Sequence, residues 1–70
     1  MPSIESALAG RVAAVHVQPG DRIDAGDAVM TIESMKMEIP LESEVGGVVA
    51  QVLLSVGDEV AEGQAVVVVE

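Results

Sequence analysis

The chain of 70 residues contains one lysine, Lys36, set in the run Glu33-Ser34-Met35-Lys36-Met37-Glu38 close to its middle. A primary amine offers three kinds of chemistry: Schiff-base formation, general-base catalysis, or acceptance of an acyl group from an activated donor. The first two need an amine kept neutral by burial or by neighbouring positive charge. Around Lys36 the charged neighbours in sequence are Glu33 and Glu38, with no other cation nearby. A lysine in water is overwhelmingly ammonium at neutral pH and a poor nucleophile by itself. The run therefore fits a modification target, to be deprotonated or acylated by a second enzyme, better than a catalyst. An ordinary solvated lysine in a β-turn is the alternative. Against it stand the singularity of Lys36, its place between two similar halves, and two flanking methionines that an exposed turn tolerates poorly unless something touches them.

The elements that must position Lys36 come in two copies. Residues 8–33 align without gaps onto residues 45–70 at a constant offset of 37. Gly10 falls on Gly47, Val12 on Val49, Ala13 on Ala50, Val15 on Val52, Gly20-Asp21 on Gly57-Asp58, Gly26 on Gly63, Ala28-Val29 on Ala65-Val66, and Glu33 on Glu70. Two copies are too few for a solenoid and point to a closed domain with pseudo-twofold symmetry. Each copy predicts a strand after its first Gly, then a Gly-Asp turn, a short stretch with one apolar residue (Ile23 or Val60), a second Gly turn, and a closing strand. Strict alternation puts Arg11, Ala13, Val15 and Val17 on one face of the first strand and Val12, Ala14, His16 and Gln18 on the other. In the second copy it groups Val48, Ala50, Val52 and Leu54. Two small antiparallel sheets packed face to face are the expected result. A helix over residues 48–56 is excluded by its valines and flanking glycines. Between the copies, residues 34–44 read as a hairpin, with Met35-Lys36 as its tight turn and Pro40 confining the following strand to an edge. Neither turn residue is of a favoured type, and such local violations collect at functional sites.

Composition narrows the function classes. Half of the residues are hydrophobic, none is aromatic, and valine alone accounts for fourteen. β-Branched side chains favour strands, and a domain this small has little room for a deep ligand pocket. The formal charge of −9 disfavours nucleic acid and anionic membrane surfaces. It keeps a small protein soluble, or steers it toward basic partner surfaces. The longest apolar run, Ala65 to Val69, is too short to cross a bilayer. The first residues carry no secretory pattern. With no cysteine in the chain, disulfides and thiolate metal sites are excluded and the cytoplasm is the expected setting. Asp21, Asp24 and Asp27 lack the Gly and distal Glu of a calcium loop, so no metal site is expected. His16, between Val15 and Val17, is expected to face solvent. No nucleophile–base pair marks the chain as an enzyme in its own right.

The run Glu33 to Glu38, continuing into Ile39-Pro40, resembles the attachment motif of biotinyl domains, and the flanking Gly-Asp repeats match that family over essentially the whole chain. The likeness is closest to short standalone biotin carboxyl carrier and biotin/lipoyl attachment proteins. It implies an all-β flattened barrel, or barrel-sandwich hybrid, of two four-stranded antiparallel sheets, with residues 1–70 as a single domain. Lys36 would stand at the tip of a hairpin at one end, with both termini at the other. A biotin protein ligase would join biotin to Lys36, a biotin carboxylase would carboxylate it with ATP and bicarbonate, and a carboxyltransferase would take the carboxyl group, with the carrier catalysing neither step. Met35 and Met37 would give pliable apolar contact to the ligase or the cofactor. Glu33, Ser34 and Glu38 would contact the ligase, or be ordinary solvated strand residues. A lipoyl carrier of the same fold is the nearest alternative, disfavoured because lipoyl domains usually have Asp-Lys-Ala at the turn. An unmodified barrel-sandwich interaction domain is the third.

Two departures from the family stand out. The "thumb" some members insert between the second and third strands is replaced by Gln18-Pro19-Gly20-Asp21, and Ala7-Leu8-Ala9-Gly10 replaces the frequent Pro-Met before the Gly. The family's Pro- and Ala-rich linker is not in the sequence, and the initiating Met1 suggests a free protein, expected to be a monomer, over an excised domain.

Overall fold

Valine-rich stretches form the strands, and Gly-containing turns end them. The computed structural model describes residues 2–70; Met1, the residue that suggested a free protein, lies outside the described residues. Eight strands follow in order: β1 (Ser3–Glu5), β2 (Gly10–Val15), β3 (Arg22–Ile23), β4 (Ala28–Ser34), β5 (Met37–Glu42), β6 (Gly47–Val52), β7 (Glu59–Val60) and β8 (Ala65–Val69). They make two four-stranded sheets, ordered β1-β8-β6-β3 and β5-β4-β2-β7, and every pairing is antiparallel. This is the expected flattened barrel-sandwich. Among the described residues there is no helix, hence none long and apolar enough to cross a membrane. Pro40 lies in β5, an edge strand, where its missing N–H costs no ladder bond.

Each sheet takes two strands from each half of the chain. β3 pairs with β6 of the second half, and β7 with β2 of the first. These two-residue strands each bury the apolar residue that the sequence singled out, Ile23 or Val60.

The core is symmetric residue by residue. Its members are Ile4 and Leu41, Val12 and Val49, Ile23 and Val60, Val29 and Val66, Met30 and Val67, and Ile32 and Val69. Every pair keeps the 37-residue offset. Burying one such side chain is worth about 1.5–3 kcal/mol. The correspondence continues ahead of Leu8 and Val45. Ser6 and Ser43 are both buried. Each hydroxyl donates to the carbonyl two residues on, Leu8 at 2.5 Å and Val45 at 2.6 Å, and accepts from that residue's N–H. These bonds satisfy polar groups that burial would otherwise penalise.

The strict alternation expected for β2 and β6 is corrected by the structure. Val12 and Val49, each about 1% exposed, lie in the core, yet Val15, Val17, Val52 and Leu54 pack against that same core. The register shifts between Val12 and Ala14 in β2, and between Val49 and Gln51 in β6. A β-bulge adds one residue to a strand and reverses which side chains face inward beyond it. Ala13 and Ala50 occupy the two bulges.

Candidate functional site

β4 and β5 form the hairpin that carries Lys36. Their ladder runs from Ala28 opposite Glu42 to Ser34 opposite Met37, which leaves Met35 and Lys36 as a two-residue loop. Both have positive φ, 52° and 65°. Two consecutive positive-φ residues define the type I′ turn, whose twist matches the strands it joins. That turn favours Asn-Gly, and a side chain with a Cβ costs roughly 1–2 kcal/mol per left-handed residue. Among the described residues these are the two non-Gly positions with positive φ. The expected tight turn is therefore present, in the backbone form least suited to the residues filling it. Strain of this kind persists where the surrounding structure over-determines it, here the β4–β5 ladder.

The base of the hairpin is gripped from below. A Cβ on Gly10 would lie 2.8 Å from Ile32 Cγ2 and closer still to the Glu33 carbonyl oxygen. Only glycine lets β2 approach β4 this closely.

Each residue expected at the site stands on this hairpin. Lys36 is exposed at the apex, Met35 is 92% exposed and Met37 64%. Glu33 and Glu38 are exposed and directly opposite each other, while Ser34 is half-buried opposite Met37. Two carboxylates facing across a ladder repel. Arg11, which sequence reading did not connect with the site, lies opposite Glu33 on the other side, and Glu59 lies opposite Arg11. A row of Glu38, Glu33, Arg11 and Glu59 thus crosses the sheet, with one cation between carboxylates. The signal was available: the repeat counterpart of Arg11 is Val48, a charge set against a valine.

The remaining candidates have structural duties. Asp21 accepts a hydrogen bond from the Gln18 N–H at 3.0 Å and Asp27 from the Asp24 N–H at 2.8 Å. Each carboxylate closes a turn of its own. Asp58 and Gln64 repeat these bonds in the second half. Among the described residues no three His, Asp or Glu side chains gather as a metal set. His16 is exposed, and its Nε2 lies 2.7 Å from Thr31 Oγ1.

The far end of the domain holds Pro2 and Glu70, the first and last described residues. β2 begins beside β4 near the hairpin and runs away from it; the Val49 N–H, in β6, bonds to the carbonyl of Asp21 beyond the end of β2. There the Glu70 N–H bonds to the Val48 carbonyl and the Val69 N–H to the Pro2 carbonyl. A group joined to Lys36 would project from an apex with no enclosing wall. The surface grooves shown by the structure lie elsewhere, one beside Ile4 and Leu41, another between Val17 and Leu54. An exposed amine on a short, constrained turn suits a covalently tethered group, which needs an attachment atom and no cavity.

Comparison with known proteins identifies the family. The family model described as "Biotin-requiring enzyme" matches residues 1–70. The chain is 53% identical over 34 residues to the Biotin/lipoyl attachment protein of Bacillus subtilis, covering 49% of this chain and 47% of that protein. It is 47% identical over 38 residues to Biotinylated protein TB7.3 of Mycobacterium tuberculosis, covering 54% of each. It is 36% identical over 36 residues to the gamma subunit of glutaconyl-CoA decarboxylase of Acidaminococcus fermentans, covering 51% of this chain and 25% of that one. The matched stretch thus spans about half or less of each relative. Among solved structures, the urea carboxylase of Kluyveromyces lactis superposes with a TM-score of 0.91 at 33% identity, over 99% of this chain and 6% of that one. A single-chain, multi-domain long-chain acyl-CoA carboxylase superposes with a TM-score of 0.84 at 27% identity, over 94% of this chain and 7% of that one. The chain belongs to the biotin/lipoyl attachment family, in which it is a carrier domain and not a catalytic one.

Proposed function

We propose that Lys36 carries biotin in amide linkage and that the domain moves a carboxyl group between two active sites of a biotin-dependent carboxylase. The observation that carries this reading is the Met35–Lys36 turn: the chain's one lysine stands exposed at the apex of a hairpin whose backbone is held in a disfavoured form. In the attachment step the Lys36 ε-amine attacks the carbonyl of biotinyl-adenylate. An amide forms, AMP leaves, and the amine's proton passes to a base on the ligase. The domain presents the amine on a rigid support and supplies no acid or base to that reaction. Once loaded, the tether turns two bimolecular encounters, with biotin carboxylase and with carboxyltransferase, into local ones at high effective concentration. The exposed thioethers of Met35 and Met37 supply adaptable apolar contact beside the reacting nitrogen, and Glu33, Ser34 and Glu38 form the flank that a ligase would read.

Incubation with a biotin ligase, ATP and biotin, followed by intact-mass measurement, tests the assignment. The expected result is one biotin per chain on the wild type and none on Lys36→Arg. An unmodified wild type beside a working ligase control overturns it. The name of the Bacillus subtilis relative, Biotin/lipoyl attachment protein, supports a second reading in which Lys36 carries lipoate. A lipoate ligase in a parallel reaction distinguishes the two, and Met35 and Met37 favour biotin.

A further inference from the structure

The hairpin holds more unusual chemistry than its amine. Three methionines lie among the described residues, and the fold divides them sharply. Met30, in β4, is 0% exposed. Met35 and Met37 are 92% and 64% exposed and flank Lys36 on either side. Nothing in the turn geometry asks for a thioether. At φ 52° any side chain with a Cβ meets the same backbone penalty, and exposure removes the usual packing reason for a long apolar residue. Besides its flexibility, what distinguishes methionine from leucine at these positions is its oxidisable sulfur.

From these placements we infer that Met35 and Met37 form a reversible peroxide-sensitive site that controls acylation of Lys36. The inference rests on the reading of Lys36 as the attachment point. A sulfur lone pair attacks the terminal oxygen of a hydroperoxide, the O–O bond breaks and an S–O bond forms. The alcohol leaves, or water when the oxidant is hydrogen peroxide, carrying the peroxide's proton. The thioether loses two electrons and the peroxide gains two. The product is a polar, chiral sulfoxide that thiol-dependent methionine sulfoxide reductases return to the thioether. On an apex this small, two sulfoxides exchange an apolar flank for a polar one on both sides of the amine. The contact offered to a ligase changes while the core does not, because Met30 is shielded. The same alteration inside the barrel would disrupt the core around Met30; at the tip it leaves the scaffold intact and reversal available.

The test treats the protein with hydrogen peroxide, removes the oxidant with catalase, and follows each methionine by peptide mass spectrometry. Met35 and Met37 are expected to oxidise about tenfold faster than Met30, or more, given their exposure. Biotin ligase is then added, and the rate of biotin addition to oxidised wild type is expected to fall about fivefold or more as the apolar flank is lost. Methionine sulfoxide reductases A and B together are expected to restore the rate. The variant Met35→Leu/Met37→Leu, whatever its own rate, is expected to show the same rate before and after peroxide. Equal oxidation of Met30 and Met35, or an unchanged ligation rate with both sulfoxides present, overturns the inference. A reduced wild type that takes no biotin overturns the reading of Lys36 instead, so the two failures are distinguishable.

Discussion

At one end of the domain Glu33 runs on into Ser34 and the Met35–Lys36 turn; at the other its counterpart Glu70 ends the chain. Below both, the construction is the same. Gly10 underlies Glu33, and Gly47 underlies Glu70, where a Cβ would lie 2.5 Å from the Glu70 carbonyl oxygen and 2.7 Å from Val69 Cγ1. Turn closures, buried serines and core pairs repeat at the same offset. The hairpin apex has no counterpart. The core pairs, buried serines and turn closures are therefore made twice, and the turn that could carry chemistry is made once among the described residues.

Substitutions at these paired positions and at the turn test the contrast. The largest effect on stability is expected from Gly10→Val, which forces a Cβ against Ile32 and the Glu33 backbone held within the sheet. Overpacking of this kind costs about 3 kcal/mol, a large share of the roughly 4–10 kcal/mol available to a chain of this length. Gly47→Val meets the equivalent contact, but Glu70 lies beyond the end of β8 whereas Glu33 lies within β4, so a smaller loss of about 1–2 kcal/mol is expected. Urea unfolding of the two variants compares the stiffness of the two ends; equal losses would show the termini to be held as firmly as the hairpin. Next come Ser6→Ala and Ser43→Ala, each removing a side chain that both donates and accepts. Each should lower stability by about 1 kcal/mol, and a marked inequality in thermal unfolding would break the symmetry. The double variant Met35→Asn/Lys36→Gly has the opposite sign. It gives the turn its preferred residues and should raise stability by about 1 kcal/mol, while removing the acceptor amine. Smallest of all is Lys36→Arg, expected to leave stability within about 0.5 kcal/mol while abolishing biotin addition.

These pairs also show what the sequence could carry. The repeat was legible because Gly-Asp turns and valines recur in step, and Lys36 because it occurs once and off the repeat. The beginning of each structural copy was harder to see: Ser3-Ile4 and Pro40-Leu41 share no residue, and only Glu5-Ser6 and Glu42-Ser43 match. The inward faces of β2 and β6 were misassigned because Ala13 and Ala50 look like ordinary alternating residues, while the bulges depend on pairing with a distant strand. Arg11 could not be placed beside Glu33 without the register of β2 on β4. The positive φ of Met35 and Lys36 was hidden for the reverse reason, since neither residue type advertises it. The turn geometry is dictated by the ladder on either side of the loop and overrides the preferences of the residues within it.

The exchange of β3 and β7 makes the two halves inseparable. A fragment ending before β5 would hold β2 and β4 without β7 beside them, and would leave Ile23 on a two-residue strand with no β6 to join. Cut from its partner, neither half keeps a closed set of edges or a covered apolar face. A domain interlocked in this way is expected to unfold as a single unit, and the segment bearing Lys36 is the covalent strap that keeps the two interlocked pieces at hand for each other.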